Sequence, residues 1–94
     1  RFTDGLVLLD EPEAALSPQR QLALLTLLHQ LAAGRAVQFV IATHSPILLA
    51  LPGATLLSFD DGAPHPVRYE DTAHYQVTRE FLLDPARMLR HLVE

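Results

Sequence analysis

The chain alternates between short, densely apolar runs and abrupt polar stops. Leu6-Val7-Leu8-Leu9 is a continuous apolar run that breaks off at Asp10-Glu11-Pro12, where Pro12 bars Glu11 from helical geometry; this pattern predicts a strand buried on both faces. Ser17-Pro18 then sets a capping side chain before a residue suited to the first helical position, and Gly34 offers a left-handed terminus. A helix from about Pro18 to Ala33 follows. On a 3.6-residue wheel Leu24, Leu25, Leu27, Leu28, Leu31 and Ala32 share one arc, Gln19, Thr26, His29 and Gln30 the opposite one, and Leu22 falls outside its side. Val37 to Ala42 is β-branched and aromatic, which predicts a second buried strand that stops at Thr43-His44-Ser45-Pro46.

Ser45-Pro46 repeats the cap-then-proline pattern, so a short helix is predicted over Ile47 to Leu51, closed by Pro52-Gly53, with a third strand over Ala54 to Phe59. Asp60-Asp61-Gly62 is a turn signal, and Val67-Arg68-Tyr69 can return antiparallel, confined to an edge by Pro64 and Pro66. Asp71 or Thr72 caps a helix to about Leu83, and Asp84-Pro85 opens a last one to Val93. The order of elements predicts an α/β fold with mainly parallel strands, right-handed crossovers, flanking helices and an antiparallel edge hairpin.

Length and composition narrow what this arrangement can do. At 94 residues, 49% hydrophobic, the chain is one domain at most, read here as a single partial domain with a core over 1–59 and an edge hairpin and helices over 60–94. A core of that size is marginal without a partner or further residues. All seven basic residues are Arg and the net charge is −4, so no basic stripe exists to track a phosphate backbone, and direct nucleic-acid binding by this segment is not expected. The absence of Cys excludes disulfides, thiolate nucleophiles and zinc-thiolate sites, and suits a cytoplasmic location. Ala36 to Phe59 carries no charge, but Gln38, His44, Pro46, Pro52 and Gly53 interrupt it, so no membrane helix is predicted. No signal peptide opens the chain, and Arg1 in place of Met reads as a cut N-terminus.

The candidate chemistry lies where the strands stop. Two adjacent carboxylates at the end of a buried strand repel in a low dielectric unless a cation or a polar site uses them. In an extended backbone the side chains of Asp10 and Glu11 cannot point the same way, so different jobs are expected: one on a metal, one on a water. Decoration of a strand-to-loop edge is the plain alternative.

Leu6-Val7-Leu8-Leu9-Asp10-Glu11-Pro12, a loop, a helix, a second apolar strand and Thr43-His44-Ser45, in that order, resemble the distal half of an ABC-type ATPase domain: Walker B, D-loop and switch histidine, over about Gly5 to Phe59. The resemblance implies a partial P-loop NTPase sheet, ATP and Mg²⁺ as cofactors, Asp10 as the Mg²⁺ ligand beside the β- and γ-phosphates, and Glu11 as general base or water-orienting carboxylate. It implies that His44 contacts the γ-phosphate and the attacking water. Ala14 to Ser17 takes the D-loop place, with Ser17 towards nucleotide and a partner subunit across a homodimer. Transport-type members usually carry Asp where this chain has Ser17, and a small polar residue where it has Glu13. With Thr43-His44-Ser45-Pro46, the chain looks more like soluble ATPases related to the RecF, OLD and SMC groups. The tail, from Tyr69-Glu70-Asp71-Thr72 through His74-Tyr75-Gln76 and Arg79 to the Arg87–Leu92 segment, resembles the C-terminal helices of small stand-alone bacterial ATPases.

The 94 residues hold no Lys and no glycine-rich phosphate loop, and neither the ABC signature segment nor the glutamine loop. Without backbone N–H groups to cradle phosphates, the chain alone is not expected to hydrolyse ATP. It reads as the C-terminal portion of an ATP-hydrolysing domain, associating through the D-loop face or an exposed sheet edge. The alternatives are a Mg²⁺-dependent nuclease or phosphoesterase site built from Asp10, Glu11 and Asp60 or Asp61, with two metals, or a non-enzymatic interaction module.

Overall fold

The computed structural model describes residues 5–60 and 62–93. The chain divides into two compact units, one running up to Ala54 and the other starting at Thr55.

The first unit is built on a strand, a helix and a second strand: β1 (Gly5–Asp10), α1 (Pro18–Ala33) and β2 (Val37–Ala42), followed by a short 3₁₀ turn over Leu48–Ala50. Both strands and the helix fall where the apolar runs and caps predict them. β1 and β2 pair in parallel, with Val7 opposite Phe39, Leu9 opposite Ile41 and Asp10 opposite Ala42. α1 starts at Pro18 because the Ser17 side chain accepts a hydrogen bond from the Arg20 amide at 3.3 Å. At its other end Gly34 keeps right-handed geometry, with φ −71°, and the left-handed residue is Arg35, with φ 62°. The left-handed turn that the sequence suggests at Gly34 is therefore displaced by one residue.

The strands are not buried on both faces. Gly5, Val7, Leu9, Val37, Phe39 and Ile41 are half-buried, while Leu6 and Val40 remain 60% and 53% exposed. α1 packs against β2 and the 3₁₀ turn, which accounts for one sheet face; on the other, Leu6, Leu8 and Val40 are exposed among the described residues. The helix buries a narrower stripe than its wheel suggests: Gln21, Leu24, Leu25 and Leu28, at spacings of three and four, turn inward, whereas Leu27 and Leu31 stay exposed. Leu28 and Leu48 are the buried apolar residues among those described.

The second unit holds β3 (Leu56–Ser58), β4 (His65–Val67), α2 (Ala73–Leu83) and α3 (Pro85–Val93). β3 does not extend the parallel sheet as the element order predicts. It pairs antiparallel with β4, Leu57 opposite Pro66, and the strands of this pair have no other hydrogen-bonded neighbour among the described residues. A local hairpin closes a short loop at small entropic cost, and Pro66 lies on an edge where its missing N–H is tolerated. The return strand comes two residues earlier than Val67-Arg68-Tyr69, because Tyr69–Asp71 is taken into a 3₁₀ turn. Asp61, part of the predicted turn, lies outside the described residues.

Thr72 caps α2 as expected: its hydroxyl accepts from the Tyr75 amide at 3.2 Å and donates to the Tyr69 carbonyl at 2.8 Å. Asp84 accepts from the Arg87 amide at 3.2 Å and so caps α3. The Tyr69 and Tyr75 rings lie 4.8 Å apart; burial, then the neighbouring Tyr75 and Glu70 charges, push the Tyr69 hydroxyl above its ordinary range.

Candidate functional site

In a parallel pair both strands end at the same rim, and here that rim carries Asp10 at the end of β1 and the Thr43–Ser45 segment directly after β2. Asp10 lies on the exposed face with Leu6 and Leu8, by the alternation along β1. The ladder runs one bond further, since the Glu11 amide donates to the Ala42 carbonyl at 2.7 Å. Glu11 itself leaves extended geometry, with φ 48°. The expectation that Asp10 and Glu11 must point oppositely in an extended chain therefore does not apply to this pair. A left-handed conformation costs a residue with a Cβ roughly 1–2 kcal/mol.

Two tight turns follow. The Ala14 amide donates to the Glu11 carbonyl at 3.0 Å, with Pro12 at the position that favours proline, and the Leu16 amide donates to the Glu13 carbonyl at 2.8 Å. The second turn holds Ala15 at φ 66°. They deliver the chain to Ser17, whose oxygen is occupied by its capping bond while its O–H remains able to donate.

Glu13 is the feature that the sequence does not announce. Its carboxylate accepts from the Thr43 hydroxyl at 2.7 Å on one oxygen and from the His44 amide at 3.3 Å on the other. Burial works to raise its pKa, but the bonds from Thr43, its own backbone and His44, with the His44 charge, outweigh burial and hold it below its ordinary value. Thr43 also accepts from the Ser45 amide at 3.0 Å. Ser45 is buried, donates to the Gln21 side-chain carbonyl at 2.5 Å and accepts from the Ile47 and Leu48 amides, each at 3.2 Å. Gln21 in turn donates to the Leu16 carbonyl at 3.2 Å. The one available sequence signal for Glu13 is an acid where a small polar residue is usual; for Gln21 it is an amide on the sheet-facing stripe of a helix.

Among the described residues the side chains of Asp10 and Glu11 have no hydrogen-bond or ion-pair partner, and both are exposed, as is His44. An unengaged aspartate at a strand end suits Mg²⁺, which prefers few carboxylates and keeps several waters. The two-metal alternative finds less support. Asp60 follows β3, which pairs with neither strand of the rim, Asp61 lies outside the described residues, and among the described residues no three His, Asp or Glu side chains are grouped to hold a metal.

In open α/β sheets ligands bind outside the carboxyl ends of the parallel strands, which is the rim that carries these acids and the histidine. A family described as "AAA domain, putative AbiEii toxin, Type IV TA system" matches residues 2–50, more than half of the chain, and the chain belongs to that family. It is thus of the ATP-binding, P-loop NTPase type, and the match falls within the first unit. No curated protein and no solved structure matches the chain. No helix among the described residues is long and apolar enough to cross a membrane.

Proposed function

We propose that the rim of β1 and β2 is the γ-phosphate end of an ATP-hydrolysing site of ABC type, related to the RecF, OLD and SMC groups. The observation that supports this reading is the placement of two unengaged acids and a histidine at one end of one parallel strand pair. Asp10 would hold Mg²⁺ through the metal's water shell. When bound, the ion supplies neutralisation of charge on the β- and γ-phosphates. Glu11 accepts a hydrogen bond from the attacking water and takes its proton as the new P–O bond forms and the bond from the γ-phosphorus to the β–γ bridging oxygen breaks, ADP leaving with that oxygen. His44 contacts the γ-phosphate and that same water, and fixes the line of attack.

Ser17 sits where the D-loop would meet a second copy, and its free O–H suits a phosphate or a partner's polar group. A homodimer through this face or the open sheet edge is the expected assembly. The phosphate loop, signature segment and glutamine loop are to be supplied by residues other than these 94, which alone would not hydrolyse ATP. The test is ATP hydrolysis by the intact protein. Glu11→Gln is expected to lower kcat by about 10²–10⁴-fold with little change in KM for Mg·ATP, the usual contribution of a general base. An unchanged kcat contradicts the reading.

A further inference from the structure

Of the three acids from Asp10 to Glu13, two carboxylates have no partner among the described residues and the third is used at both oxygens. Glu13 joins segments that are 30 and 31 residues apart, reaching from the turn after β1 to Thr43 and His44 after β2. It binds the hydroxyl of one residue and the backbone N–H of the next, so it fixes the path of the chain at His44 and not merely a side chain. A second tie runs from Ser45 through Gln21 to the Leu16 carbonyl. The two ties clamp the loop carrying the histidine to the loop carrying the acids.

The clamp falls where the backbone is strained. Glu11 is left-handed immediately before a proline, and Ala15 is left-handed four residues later. Such conformations persist only where surrounding contacts over-determine them. Glu13 sits between the two, anchored to a loop of its own sheet.

Resting on the nucleotide reading above, we propose that Glu13 is a positioning residue that staples the His44 loop to the Asp10–Glu11 loop, so that imidazole and carboxylates meet one phosphoryl group in a fixed relation. Thr43 is its necessary partner. Neither residue touches the phosphate; both act through the placement of His44. Charge-assisted bonds to a carboxylate are the stronger kind, which suits a staple that must hold while nucleotide enters and leaves.

The test has two arms. In the intact protein, amide hydrogen exchange at His44 is expected to quicken roughly tenfold or more in Glu13→Gln, because Gln offers one neutral acceptor oxygen where the carboxylate offers two charged ones to the Thr43 hydroxyl and the His44 N–H. Amides inside the β1–β2 ladder should keep their rates, which shows that the variant is folded. Thr43→Val, which removes the other bond, should quicken His44 exchange less than Glu13→Gln. Unchanged exchange at His44 in Glu13→Gln overturns the staple.

In the intact protein, Glu13→Gln and Thr43→Val are expected to lower kcat about tenfold with KM for Mg·ATP unchanged, and Thr43→Ser to restore it, since a small misplacement costs turnover before it costs binding. Full kcat in Glu13→Gln and Thr43→Val, beside a Glu11→Gln variant that is inactive, overturns the inference and leaves the nucleotide reading standing. Full kcat in Glu11→Gln overturns that reading, while the exchange measurement still judges the staple.

Discussion

At the scale of single residues, the rim separates acids by what holds them. Among the described residues the carboxylates of Asp10 and Glu11 have no partner, while Glu13 is bonded at both oxygens and is held below its ordinary range by those bonds. A carboxyl whose folded pKa is depressed contributes stability above its unfolded pKa and loses it as pH falls through the folded value. The urea midpoint of this chain should therefore decline on acidification between those two values, and Glu13→Gln should flatten that part of the profile. An identical profile in the variant contradicts the assignment of the shift to these bonds. Ser17 and Thr72 were legible as caps because a cap is a local feature, a hydroxyl and an amide three residues away. Glu13 was not, since its partners lie 30 and 31 residues off and no periodicity records such a bond.

Elements were legible where their determinants are short-range. α1, β2, α2 and α3 begin and end where capping residues, prolines and β-branched runs predict. What the sequence left open is which faces are covered, because burial depends on neighbours. Continuous apolar runs suggested strands covered on both sides, yet β1 and β2 alternate between half-buried and exposed positions. The asymmetry has a measurable consequence for this chain. Leu28 is 3% exposed, and Leu28→Ala should cost about 2–5 kcal/mol in urea unfolding. Leu8 is 71% exposed, and Leu8→Asn should change stability by no more than about 0.5 kcal/mol. Equal losses would show that the open face is covered in solution. The third strand was misassigned to the parallel sheet for a related reason: strand order reads topology from sequence spacing, whereas β3 found its partner in the nearest segment that could pair, β4.

For the molecule as a whole, the family match and the rim geometry converge on the first unit. The match to an ATP-binding AAA-domain family ends at residue 50, inside the unit that carries Asp10, Glu11, Glu13 and His44. The order of acids, helix and histidine was legible in the sequence because each stands next to an apolar run that marks its strand. What the chain lacks is equally plain, since no phosphate loop lies among its residues. The proposed chemistry requires that the ends of β1 and β2 face the terminal phosphate of a nucleotide. The most direct measurement is a crystal structure of the intact protein with Mg²⁺ and a non-hydrolysable ATP analogue. The account predicts the metal beside Asp10, a water held by Glu11 at the γ-phosphate, and His44 in hydrogen-bonding contact with that phosphate. A nucleotide bound away from this rim, or His44 turned from the phosphate with Asp10 and Glu11 untouched, would contradict it.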